Sequence, residues 1–179
     1  LPQPTRAGYR FTGWTGTDLT APTMEVTIPT GSKEDREYTA NWEEIQYFTV
    51  FYNVHGHGKA PANEKVESGK TAAKPENPTE DGWKFKGWYR SDDYIGEPFD
   101  FTTAITRDTT LHAKWARTWT VTFDVGDHGT APAAQTVEDG AKATKPADPT
   151  AEDYSFQGWY TDTRYTMEYD FSKEVTEDT

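Results

Sequence analysis

Two histidines framed by glycines, His55-Gly56-His57-Gly58, are the residues whose types most directly suggest chemistry. A pair of imidazoles at that spacing could clamp a transition metal, and a glycine-rich stretch could cradle a phosphate. Adjacent carboxylates at Glu80-Asp81, Asp92-Asp93 and Glu152-Asp153 offer the types used in general acid and base catalysis. Conjugated-ring pairs at Trp88-Tyr89 and Trp159-Tyr160 could serve as a platform for a sugar or peptide. Absent are Gly-x-Ser-x-Gly, a P-loop, His-Glu-x-x-His and an Asp-x-Asp-x-Asp-Gly calcium loop.

The chain carries its own control on these candidates, because it repeats itself. Val50 to Trp88 lies over Val121 to Trp159 at a constant offset of 71, with about half of the aligned positions identical. His57-Gly58-Lys59-Ala60-Pro61 meets His128-Gly129-Thr130-Ala131-Pro132, and Phe85-Lys86-Gly87-Trp88-Tyr89 meets Phe156-Gln157-Gly158-Trp159-Tyr160. An earlier copy is present in Pro4-Thr5, Gly8 to Trp14 and Tyr38-Thr39-Ala40-Asn41-Trp42. In the last copy His55 becomes Gly126, so only the His-Gly step recurs and a metal clamp loses half of its ligands. The step reads instead as a hairpin turn in which glycine supplies a positive φ. Asp92-Asp93 aligns with Asp162-Thr163. Only one carboxylate persists there, which points to a solvated loop and away from an enzyme; no metal or cofactor is expected.

Composition narrows the classes further. The formal net charge of −12 over 179 residues repels phosphate backbones and anionic headgroups, so no nucleic acid is expected as a partner. No window holds the ~18 uninterrupted apolar residues of a membrane helix, which excludes helical membrane insertion within this segment. Cysteine is absent, removing disulfides and thiolate metal sites. Leu1 is not an initiator and no signal-like stretch follows it, so a longer parent carrying its own signal and anchor is expected.

The elements that would position these residues are strands. Val50, Tyr52 and Val54 alternate with more polar neighbours, and Val121, Phe123 and Val125 repeat the parity. Trp83 to Tyr89 reads as a further strand, with Trp83, Phe85 and Tyr89 on one side and Lys84, Lys86 and Trp88 on the other. Its mid-strand glycine implies a bulge or a group lying close against the backbone. Leu111 to Trp115 closes the unit, and Phe99 to Ile105 is expected to form a helical turn capped by Asp100 or Thr102. The Phe-x-Gly-Trp aromatics read first as core, since a unit of about seventy residues needs their bulk to fold.

A strand with a Gly turn, Pro-Thr before Gly-Tyr-x-Phe-x-Gly-Trp, then Asp-Phe and a closing Thr-Leu-x-Ala-x-Trp resembles the Listeria-Bacteroides repeat, the family that includes the internalin B-repeat. Carriers are Gly8 to Trp14, Tyr38 to Trp42, Val50 to Trp88, Asp100-Phe101, Thr110 to Trp115, Val121 to Trp159 and Asp170-Phe171. The resemblance implies a mainly β chain of tandem, small, β-grasp-like (ubiquitin-like) units with little helix, in surface proteins of Gram-positive and gut bacteria, without catalytic residues. The expected division is residues 1–44 as a first repeat missing its opening strands, 45–116 as a complete second repeat, and 117–179 as a third lacking its closing strand. A cell-wall or surface stalk, or an adhesin contacting a host or neighbouring-cell protein or glycan, is the expected role. Trp88, Tyr89, Trp159 and Tyr160 would be the platform of a binding module, and incomplete end repeats would associate head to tail.

Overall fold

A computed structural model describes all of residues 1–179. Its strands are β1 (Tyr9–Gly16), β2 (Tyr38–Glu44), β3 (Tyr47–Asn53), β4 (Glu64–Glu67), β5 (Trp83–Tyr89), β6 (Thr109–Val121) and β7 (Gln135–Glu138). No helix is present, so the chain is mainly β. One sheet is β1-β2; the other runs β4-β3-β6-β5, with β7 also on β6.

Two compact units divide the chain, and both are discontinuous in sequence. The first comprises Leu1–Val50, Asn63–Ala73 and Asp100–Thr109. Within it β1 and β2 pair antiparallel, and the start of β3 pairs with β4 from Tyr47 opposite Glu67 to Val50 opposite Glu64. Ile105 exchanges backbone hydrogen bonds with the 69–70 turn, donating to the Lys70 carbonyl and accepting from Gly69 N–H, both at 2.8 Å. The second unit comprises Phe51–Ala62, Lys74–Phe99 and Thr110–Thr179. There β5 pairs antiparallel with the first part of β6, and β7 pairs with its last part from Thr118 to Val121.

Alternation places the aliphatic side chains as expected in β3 and β6: Val50 and Tyr52 are buried while Phe51 is exposed, and Leu111 and Ala113 are buried. In β5 the simple parity fails. A bulge between Phe85 and Gly87 sets an extra residue into the strand, and the alternation reverses beyond it. Trp88 therefore joins Phe85, at 5.3 Å between ring centroids, rather than Lys84 and Lys86. The same bulge occurs in β1 between Phe11 and Gly13. Gly13, Gly87 and Gly158 share one backbone conformation, with φ of 129°, 133° and 137°. Phe156–Tyr160 keeps that conformation but makes no ladder, because no described strand pairs along it.

The core is a repeated aromatic group. Trp14 packs edge-on to Phe11, Trp88 to Phe85 and Tyr52, and Trp159 to Phe156 and Phe123, at 5.0–5.3 Å. Around Trp159 the last copy gathers Val121, Val137, Ala143 and Val175. Each buried ring removes roughly 150–250 Å² from water, about 4–6 kcal/mol as an upper bound, the scale that lets so small a unit fold.

The helical turn expected at Phe99–Ile105 is present as a single turn. Asp100 is its cap: its Oδ1 accepts from Thr102 N–H at 2.8 Å and its Oδ2 from the Thr102 hydroxyl at 2.7 Å. Thr103 N–H closes onto the Asp100 carbonyl at 3.0 Å. Asp170 repeats this with Ser172 and Lys173. With its carboxylate satisfied and Ile105 committed to Lys70, the segment extends straight into the next strand. The crossing helix of a β-grasp has no counterpart in the chain.

Candidate functional site

The histidine turn is built around contact with the Pro-Thr segment. A Cβ on Gly58 would stand 2.6 Å from the Thr79 carbonyl oxygen, and one on Gly129 would stand 2.6 Å from that of Thr150. Only glycine lets the turn close there, and φ of 68° and 79° adds the second requirement. His57 lies on Trp83 at 4.0 Å and His128 on Tyr154 at 3.9 Å, so the recurring histidine is packing for an aromatic neighbour. His55 occupies left-handed backbone at φ 53°, where its counterpart is Gly126 at φ 59°. Asn53 and Asp124 hold that position equally, accepting from the N–H two residues on at 2.9 and 2.8 Å. The His55 side chain turns away from His57, its Nε2 lying 3.1 Å from Nδ1 of His112. The ring centroids are 5.2 Å apart, close to that distance plus the two ring radii, so the imidazoles meet head-on through a shared hydrogen bond.

The carboxylate pairs are turn-formers. Glu80 Oε2 accepts from Gly58 N–H at 2.8 Å, tying the histidine turn to the Pro-Thr segment from the other side. Asp93 accepts from Ile95 N–H at 3.0 Å, and hydrogen bonds from the Ser91 hydroxyl and then from that N–H hold its carboxyl below the usual range. Asp162 is lowered likewise, first by the Thr166 hydroxyl and then by the Thr166 N–H. Carboxylates kept ionised by donors are acceptors and poor proton donors. Asp153 takes the place of Gly82 and keeps its geometry, with φ 62° against 74°.

The aromatic pairs lie inward. Trp88 is 2% exposed, Tyr89 8% and Trp159 8%, while Tyr160 is half-buried. What they present to solvent is carried five residues on. Tyr94 and Tyr165 both sit at φ 56°, an uncommon conformation for a bulky residue. Each meets the preceding tyrosine, Tyr89 or Tyr160, edge-on at 5.7 Å and 82°. Tyr165 is 75% exposed, and beside these rings Ile95 is 80% and Met167 63% exposed. Tyr94 and Tyr165 close matching turns onto the Ser91 and Asp162 carbonyls, so Asp92-Asp93 falls opposite Thr163-Arg164 and not Asp162-Thr163 as expected, and the recurrence of this tyrosine at the offset of 71 is the signal in the sequence that could have found these tips.

Charge and backbone also recur where one copy meets the next. In the first unit Ile45 N–H donates to Gly8 carbonyl and Ser68 N–H to Gln46 carbonyl, both at 2.8 Å, and Arg10 pairs with Glu67. In the second unit Thr118 N–H donates to Gly82 carbonyl at 2.8 Å and Asp139 N–H to Arg117 carbonyl at 2.9 Å. There Glu138 is held by Lys84 at 2.8 Å and Lys86 at 3.0 Å, which together lower its pKa, Lys84 contributing most. Gly8 and Gly82, Arg10 and Lys84, Glu67 and Glu138, and Ser68 and Asp139 are matching positions of their copies, whereas the joining segment is two residues longer at the first junction, so its partners Ile45 and Gln46 follow in the opposite order to Arg117 and Thr118. Beside Glu138 lies a cleft of about 500 Å³ lined by Pro78, Glu80, Asp81, Trp83, Thr118 and Thr136 among others.

Comparison with known proteins agrees with this repetition. Residues 48–114 and 119–179 each match the model of the Listeria-Bacteroides repeat domain, and residues 4–46 match that of the divergent InlB B-repeat domain. Two proteins of Evansella cellulosilytica, both named as membrane proteins and one of them as Gly-rich, are 32% and 33% identical over 96% and 94% of the chain. Internalin H of Listeria monocytogenes is 29% identical over 70% of the chain. The chain spans between 19% and 26% of these relatives' own lengths. No solved structure shows a significant match.

Proposed function

The chain belongs to the Listeria-Bacteroides repeat family, and from that premise we propose that it is a non-catalytic repeat segment of a bacterial cell-surface protein, acting as a spacer whose copies are joined in fixed register. The observation that carries this reading is the parallel between the two junctions. Each ties the matching glycine, Gly8 or Gly82, and the residue after the matching glutamate, Ser68 or Asp139, to the joining segment by backbone hydrogen bonds, and each adds a cation-to-glutamate contact. A catalytic site needs one constellation, whereas contacts repeated at every boundary serve serial assembly. The names of the relatives, internalin and membrane protein, support an extracellular place at the surface.

Limited proteolysis tests it. Trypsin should cut after Arg90, in an exposed loop, well before Arg117 at the junction, whose cleavage should track global unfolding. Early cleavage after Arg117 would mean hinged copies and would remove the spacer reading.

A second reading, an adhesin that contacts a host protein or glycan, is favoured by the exposed tips at Ile95, Tyr165 and Met167. Repeated weak contacts of this kind gain strength by multivalency. Glycan and host-protein arrays probed with the full chain separate the two roles: hits lost on replacing Ile95 and Met167 by Asp assign contact to the tips, and blank arrays leave the spacer. Phe156–Tyr160, which makes no ladder, is the place where strand addition between molecules would give head-to-tail association.

A further inference from the structure

The cleft beside Glu138 has a counterpart that shows what such a place accommodates. By register, Thr118 opposite Glu138 corresponds to Tyr47 opposite Glu67, and Thr136 opposite Thr120 corresponds to Lys65 opposite Thr49. At the first junction, therefore, a phenol ring and an ammonium stand where the second has two threonines. They stand together: Lys65 Nζ is 4.8 Å over the Tyr47 ring, a cation–π pair. That pair lies exposed over the first junction, whereas the second carries two small hydroxyl side chains at these positions, both lining an open cleft of about 500 Å³.

Its walls suit the same chemistry. Half-buried Trp83 and Phe85 offer apolar surface, and Pro78 a rigid rim. Among the lining residues are three carboxylates, Glu80, Asp81 and Glu138, and one ammonium, Lys84, with Lys86 bound to Glu138 and the Arg117 guanidinium 5.5 Å over the Trp83 ring at the margin. Glu80 already accepts from Gly58 N–H and Glu138 is bridged by two lysines, so exposed Asp81 is the carboxylate left for an incoming cation.

We propose that this cleft is a binding site for an aromatic side chain with a neighbouring cation, Tyr or Phe beside Lys or Arg, presented by a partner protein. The partner supplies in trans what Tyr47 and Lys65 supply within the chain at the first junction. This needs only the geometry of the second junction and stands apart from the spacer reading.

Tyramine, a phenol joined to an ammonium, is the probe, titrated into the full 179-residue chain and followed by nuclear magnetic resonance. Saturable shifts are expected at the Trp83 indole and the Thr118 and Thr136 amides with a Kd of about 1–10 mM, the range for so small a ligand. Phenol alone and butylamine alone should each bind at least about threefold more weakly, and Asp81→Asn should weaken tyramine by a similar factor. Thr118→Tyr with Thr136→Lys should fill the cleft from within, abolish the shifts and leave the spectrum elsewhere intact. Absence of saturable shifts at Trp83, equal binding by phenol, or unchanged binding in the surface variant Asp81→Asn would overturn the proposal.

Discussion

At the scale of single residues, glycine and aspartate carry the repeat. Gly58→Ala or Gly129→Ala drives a methyl to 2.6 Å from a backbone oxygen, so the turn itself must move. Each substitution should cost about 2–4 kcal/mol in urea unfolding, against about 1 kcal/mol for Gly56→Ala, where a Cβ meets nothing within 4 Å. Equal losses at Gly56 and Gly58 would refute close approach as the reason. The capping carboxylates make a prediction in pH. Asp93, Asp100, Asp162 and Asp170 all titrate below their ordinary value of 3.8 in the folded chain. A depressed folded pKa stabilises above the unfolded value, and that stability drains away as pH falls through 3.8 towards the folded value. Denaturation midpoints should therefore drop below about pH 4, and Asp100→Asn with Asp170→Asn should flatten the drop. The His-Gly turn was legible in the sequence because a second copy showed which histidine was dispensable. The His55–His112 contact was not, since it joins residues 57 apart and has no copy to betray it.

At the scale of elements, strand identity could be read from period-two burial, but the facing of β5 could not. A bulge adds one residue to one strand, and parity alone assigns Trp88 to the wrong side. The clue lay in the glycine: a strand tolerates it only where something displaces a side chain. What displaces it differs between copies. A Cβ on Gly13 would stand 2.7 Å from Thr23 N, on Gly87 3.2 Å from the Pro98 ring, and on Gly158 3.5 Å from the Tyr160 ring. All three hold φ near 130°, which glycine adopts freely and a residue with a Cβ does not, so alanine should cost about 1–3 kcal/mol everywhere from backbone alone. Contact then ranks the excess: Gly13→Ala largest, Gly87→Ala intermediate, Gly158→Ala smallest. Thermal melts of the three variants check the order, and a flat series would show backbone strain acting by itself. The single turn at Phe99–Ile105 was legible for the opposite reason, being local. Its capping residue was visible, but the commitment of Ile105 to Lys70 is a long-range backbone pairing that local sequence does not announce.

At the scale of the whole molecule, the junctions decide whether copies behave as beads or as one body. The second junction is a single strand: β6 runs through Thr109–Val121, closing one copy and opening the next without a linker. The first has two more residues between its Trp and Val, and the strand breaks between Glu44 and Tyr47. Amide exchange should register that difference, with Thr118, bonded to Gly82, protected to the level of its strand neighbours and Gln46 exchanging faster than Val50. The ion pairs add direction more than strength. Lys84 and Lys86 are 59% and 38% exposed, and pairs in that setting contribute at most about 1 kcal/mol. Continuity of the backbone must therefore do most of the coupling. Inserting Gly-Gly between Ala116 and Arg117 should split one calorimetric transition for the middle and last copies into two, whereas Glu138→Lys, which sets a third ammonium beside Lys84 and Lys86, should lower a single transition by a few degrees, with added salt recovering part of the loss. If the insertion leaves one transition, the copies are coupled by side-chain contact and the strand is incidental; if Glu138→Lys alone splits it, the order of strength argued here is reversed.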